Sequence, residues 1–173
     1  MRNRESLLSN KRTLKFSITA AALILLGAVL AAAFLLLRPK KEYLVLTSVD
    51  SGEEYAAYPV KTGDEFGIGF IHSVNKSPLT DYYEVREDGI YVVRTVYYGF
   101  GAGVQTELEG NETLEYGEDG SMIVSGFDRK MNDLIYFVGT VSDHTLTLPD
   151  GAEISLRDLC GRNACVRFDL EQR

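Results

Sequence analysis

Only two of the 173 residues are histidines, His72 and His144. The first lies in Phe70-Ile71-His72-Ser73-Val74-Asn75-Lys76-Ser77-Pro78-Leu79-Thr80-Asp81-Tyr82-Tyr83-Glu84, where imidazole, hydroxyls, carboxylates and phenols crowd together. Imidazole changes charge near neutral pH, and a carboxylate beside it holds one tautomer, so this stretch is the part of the chain best equipped to bind or to move protons. Adjacent His72 and Ser73 are not a catalytic dyad, because strand alternation turns them to opposite faces. His72 goes with Phe66, Ile68, Phe70 and Val74, and Ser73 with Gly67, Gly69 and Ile71. Pairing Ile68 with Val85 and Phe70 with Tyr83 matches apolar with apolar and sets His72 opposite Asp81. A hairpin at Asp88-Gly89 then sets Val85 opposite Val92 and Tyr83 opposite Arg94, which gathers His72, Asp81 and Arg94 on one face. A buried carboxylate is costly unless paired, so the spacing predicts either a satisfied polar cluster that fixes register or a site for a small ligand or partner group. A hydrolase also needs a nucleophile on the His72 face and an oxyanion hole, and neither can be named, so no catalytic residue is assigned. A metal site would need His144, Asp81 or Glu84 to converge on His72; His144, in Ser142-Asp143-His144-Thr145, reads as an exposed turn residue, and no metal or cofactor is expected.

The elements that must position these residues are almost all strands. Apolar, β-branched or alternating runs cover residues 43–49, 55–60, 65–74, 81–87, 90–98, 122–127, 134–141, 144–148, 153–156 and 164–170, with turn signals every eight to twelve residues and no amphipathic helix. The expected fold class is all-β, a β-sandwich or barrel formed by residues 43–173. Gly101 and Gly103, in Phe100-Gly101-Ala102-Gly103-Val104, favour a structural turn over a phosphate loop, since no helix follows and neither nucleotide pattern is complete. Residues 105–121 hold six acidic side chains without the dense Asp/Asn spacing of a calcium loop, and read as an exposed loop with a short hairpin at its end.

Residues 16–37 are an uncharged run of 22, which as a helix spans roughly 33 Å, enough for a bilayer core. The expected order is a basic cytoplasmic tail (1–15), a transmembrane signal anchor (16–37), a linker (38–42) and an extracytoplasmic domain (43–173). Arg2, Arg4, Lys11, Arg12 and Lys15 keep the N-terminus in the cytoplasm of a single-pass protein of the cell membrane. Ala31-Ala32-Ala33 offers a cleavage site, but Phe34-Leu35-Leu36-Leu37 carries the apolar run past it, which favours an uncleaved anchor. Residues 1–41 carry eight basic side chains against one acidic, and residues 42–173 carry ten basic against 24 acidic. So acidic a domain repels nucleic acid and suits a basic partner or a cation. Cys160 and Cys165, outside the cytoplasm and joined through Gly161 and Asn163, suggest a structural disulfide.

Phe70-Ile71-His72-Ser73-Val74, then Pro78, Asp81 and Tyr83, then Gly99-Phe100-Gly101-Ala102-Gly103, resemble the bacterial family known as domain of unknown function 1850. The resemblance is good from about 44 to 104 and loose beyond. It implies a small membrane-anchored or exported protein, often encoded beside tripartite ATP-independent periplasmic (TRAP) transporters of the TAXI type. That in turn implies an accessory role with TRAP transporter subunits as partners. It supplies no catalytic residues, but singles out His72, Ser73, Asp81, Gly101 and Gly103. Three functions are therefore open: an accessory or interaction protein of a TRAP-type transporter, a small-ligand or cation sensor built on a pocket at His72, and an uncharacterised hydrolase.

Overall fold

The computed structural model describes residues 25–30, 40–73, 76–99 and 108–173. Two units are distinguished, Met1–Lys40 and Lys41–Arg173. In the first, residues 25–30 are helical, with Leu25, Leu26, Val29 and Leu30 exposed. The rest of the expected anchor and tail, and with it the cleavage question, lies outside the described residues. Among the described residues no helix is long and apolar enough to cross a membrane.

The second unit is built from strands, as its alternating pattern predicts. In chain order these are β1 (Glu42–Ser48), β2 (Glu54–Val60), β3 (Glu65–Ile71), β4 (Pro78–Arg86), β5 (Gly89–Tyr97), β6 (Thr113–Tyr116), β7 (Met122–Met131), β8 (Leu134–Phe137), β9 (His144–Thr147), β10 (Glu153–Ser155), a one-turn helix α1 (Leu156–Cys160), and β11 (Cys165–Gln172). They form a four-stranded sheet, β2-β1-β11-β8, and a seven-stranded sheet, β10-β9-β3-β4-β5-β7-β6, all neighbours antiparallel. No closed barrel forms. One face of each sheet shares a core: Leu44, Leu46, Leu134, Val166 and Phe168 from the smaller sheet meet Phe66, Ile68, Tyr83, Val85, Val92 and Leu146 from the larger. Phe66 stacks on Tyr83 at 5.3 Å and on Phe168 of the facing sheet at 6.5 Å. Each such buried side chain contributes about 1.5–3 kcal/mol.

A second cluster, Leu79, Tyr97, Met122 and Val124 with Phe70, Leu114 and Phe127 against it, draws only on the larger sheet. Its four core members are only 1–7% exposed, and among the described residues no side chain of the smaller sheet belongs to the cluster.

Four expectations need correction. β3 ends at Ile71 rather than 74, because His72 N–H donates to the Ser77 carbonyl (2.9 Å) and Lys76 N–H to that of His72 (3.0 Å), which closes the turn early. β4 starts at Pro78, since the first position of a strand tolerates a missing N–H. Its register is therefore Phe66–Tyr83, Ile68–Asp81 and Phe70–Leu79, four residues from the expected pairing, and His72 lies in the turn after the last ladder pair, Ile71–Pro78, rather than opposite Asp81. Further on, the β4–β5 register shifts between Tyr82 and Tyr83, leaving Val93 unpaired. This bulge reverses the side-chain alternation of β5, so Thr95 rather than Arg94 faces Asp81. Arg94 lies on the opposite face, over the Tyr82 ring (4.1 Å) and 3.1 Å from Glu65 Oε2. Third, Cys160 and Cys165 are free: Cys160 closes α1, partly buried, while Cys165 is buried at the start of β11. Burial pushes the Cys160 thiol up to about 11, so it stays protonated. Fourth, α1 has no apolar periodicity to announce it; five residues are too few, and it is held by Ser155, whose hydroxyl caps the Asp158 N–H (3.0 Å).

A matching irregularity in β7 keeps its inner face continuous with β5. Thr95 pairs with Val124 and Val92 with Arg129, with the register shifting between them. Gly126 lies in the shift, at φ +87°, and a Cβ there would run into the Asn111 carbonyl. Gly126→Ala is therefore expected to cost about 2–4 kcal/mol in urea unfolding. A cost below about 1 kcal/mol would show that β7 does not depend on this kink.

Candidate functional site

Asp81 is the polar centre of the inner face. Cross-strand pairing brings Thr95 opposite it, and the Thr95 hydroxyl donates to Oδ1 (2.7 Å). From the smaller sheet, Tyr136 on β8 donates its hydroxyl to Oδ2 (2.9 Å). Tyr136 Oη is also 2.6 Å from Tyr83 Oη. Its single proton is committed to Asp81, so Tyr83 must be the donor in that second bond. The result is a directed chain, Tyr83 to Tyr136 to Asp81, ending on a carboxylate. Burial pushes both phenols well above the usual tyrosine range, reinforced for Tyr136 by Tyr83 and Asp81 and for Tyr83 by Asp81. Both remain protonated donors.

A cavity of about 880 Å³ opens beside this chain. Its floor is the inner face of the larger sheet, with Leu79, Tyr97, Val124 and Phe127; Asp81, Tyr83 and Thr95 are polar members of the lining. One wall is the β3–β4 turn with His72, Ser73 and Lys76, and another is the segment from Gly139 to His144. His72, Ser73 and Asp81 line one recess, without the predicted pairing of His72 with Asp81 and with Ser73 beside His72 rather than on the opposite face. Arg94 takes no part, for the reason given by the bulge. Gly101 and Gly103 lie outside the described residues.

His144 is where sequence reasoning was furthest off. It opens β9, as the run 144–148 predicts, but is partly buried rather than exposed, paired with Phe70 and stacked on its ring at 4.9 Å, with the Tyr136 ring edge-on at 5.8 Å. The signal was present: His144 has the same parity as Leu146, which is fully buried. The Gly139 N–H donates to His144 Nδ1 (3.1 Å), so the ring is neutral with its proton on Nε2. Gly139 has no room for a side chain, since a Cβ there would meet the Ser142 carbonyl. Asp143 secures the turn by accepting from His144 N–H (2.7 Å), Arg157 N–H (3.0 Å) and the Ser155 hydroxyl (2.5 Å). Burial lowers the affinity of His144 for a proton, with Arg157 adding to the effect and Asp143 opposing it. Ser142 Oγ accepts from Ile71 N–H (3.2 Å) and contacts the Asp143 carbonyl (3.4 Å), so Ser142 and His144 are not arranged as nucleophile and base. Among the described residues no group of three or more His, Cys, Asp or Glu converges as a metal site.

The chain matches the family described as Domain of unknown function (DUF1850) over residues 66–156, just over half its length. It belongs to that family. No curated protein matches it, and no solved structure does. The matched DUF1850 region runs from Phe66 in β3 to Leu156 at the start of α1, and so contains every residue of the Asp81 chain and of the cavity lining.

Two outcomes test this arrangement. Tyr136→Phe deprives Asp81 of a donor and Tyr83 of its acceptor and should cost about 2–3 kcal/mol, whereas Arg94→Ala loses an exposed ion pair with Glu65 and the contact with the Tyr82 ring and should cost about 1 kcal/mol. The reverse order in chemical denaturation would restore the register expected from sequence. For His144, the folded state holds fewer protons than the unfolded state between its lowered affinity and the ordinary value near 6.5. Its contribution is therefore complete above about pH 6.5 and is lost as pH falls below it. His144→Gln should flatten this part of the stability profile, and an unchanged profile would contradict the neutral buried ring.

Proposed function

We propose that the β domain is a binding module for a small molecule held in the cavity at Asp81. The observation that carries this reading is one recess of about 880 Å³ in which an apolar floor meets a few convergent polar groups. Small-molecule sites are typically clefts of about 300–1,000 Å³ with this division of labour. The floor comes from the larger sheet alone: Leu79 and Tyr97 stand on β4 and β5, and Val124 and Phe127 on β7. It also fits the expectation, from the family resemblance, of a membrane-anchored accessory to a solute transporter: such a domain would present a solute to the permease or report its presence.

Affinity purification of the full chain from native membranes, with mass spectrometry of everything released on denaturation, tests both halves. A near-stoichiometric small molecule is expected with the wild-type chain and a large loss of it with Val124→Phe, which fills the cavity floor. Permease subunits are expected with both. Recovery of no small molecule from either chain would remove the binding reading, and absence of permease subunits would remove the transporter association.

A further inference from the structure

We propose that the occupant is a small organic cation, an amine protonated at neutral pH on an apolar body, with Asp81 as its counter-ion. This rests on the cavity being a binding site and names the chemistry it selects.

Charge balance leads to it. Asp81 lines the cavity, and its two hydrogen bonds come from uncharged hydroxyls, those of Thr95 and Tyr136. Among the described residues no lysine, arginine or histidine forms an ion pair with it. A carboxylate offers about four lone-pair sites, so two remain for a ligand. The directed chain from Tyr83 through Tyr136 makes Asp81 an acceptor only; it is held ready to take a proton donor. An ammonium that enters beside this partly buried carboxylate gains a charge-assisted hydrogen bond, roughly twice as strong as one from a neutral donor.

The walls suit the same ligand. Phe70, Tyr83, Tyr97 and Phe127 line the cavity, and aromatic faces attract cations. Leu79 and Val124 offer apolar surface to the remainder of the molecule. The excess of 24 acidic over ten basic side chains in residues 42–173 draws cations towards the domain. Lys76 and Arg129 also line the cavity and would favour an anion. Both are exposed, so water and salt screen them, whereas Asp81 is partly buried at the end of a fixed hydrogen-bond chain.

The test is calorimetric titration of the full chain at pH 7 with three probes of one shape: 3-phenylpropylamine, 3-phenylpropanol and 3-phenylpropionate. The amine is expected to bind at least tenfold more tightly than the alcohol. Asp81→Asn should erase that preference, weakening the amine far more than the alcohol. Should Asp81→Asn fail to fold, the ratio of amine to alcohol in the wild-type chain decides alone. Equal binding of amine and alcohol overturns the inference. Tightest binding of the propionate, lost in Arg129→Ala, also overturns it but leaves the cavity as a site for an anion. If none of the three probes binds, both the inference and the binding reading fall.

Discussion

The hydroxyl of Tyr136 joins the two sheets through polar atoms. It stands on β8 of the smaller sheet and reaches Asp81 and Tyr83 on β4 of the larger. Elsewhere the shared core is apolar and non-directional, held by contacts such as Phe66 with Phe168. A hydrophobic interface tolerates small slides, whereas a hydrogen bond of 2.9 Å does not. Tyr136 therefore sets where the smaller sheet stops along the larger one. The cavity lies beside this contact, with Asp81 and Tyr83 in its lining.

The bulges in β5 and β7 determine which chemistry faces the cavity. Without the extra residue at Val93, alternation would carry Arg94 inward and give Asp81 a permanent cation. With it, Thr95 turns inward and donates a neutral hydrogen bond, and Arg94 settles on Tyr82 and Glu65 outside. One residue inserted in a strand thus separates a closed internal ion pair from a carboxylate with capacity to spare. The turn around Gly139 does similar work for His144, since its N–H occupies Nδ1 and keeps the ring neutral against Phe70.

Much of the architecture was legible in the residues. Strand positions agree to within a few residues where alternation is strong, as in β1, β2 and β5, because a two-residue period is local. The inward set of β3 and β4 was also correct, since the register error of four residues is even and leaves every side chain on its expected face. Misreadings came where a single residue outweighs a pattern. Pro78 could open a strand, Val93 could bulge, and five residues from Leu156 could form a helix on the strength of one cap. The cysteine spacing fitted a disulfide, yet the two thiols stand in different elements and are free.

By itself the sequence determined the class of the fold, the division of charge between the basic first 41 residues and the acidic remainder, and which side chains of β3 and β4 turn inward. All three follow from composition and short-range periodicity. Only the tertiary structure decided Asp81's neighbours. Tyr136 and His144 lie 55 and 63 positions beyond it in the chain, and reach its surroundings through sheet packing and through the pairing of β9 with β3. Bulges move a side chain from one face to the other at the cost of one residue, and no local pattern records that choice. The physical reason is that alternation states which residues share a face but not which strands face each other, and the site is made by strands that face each other.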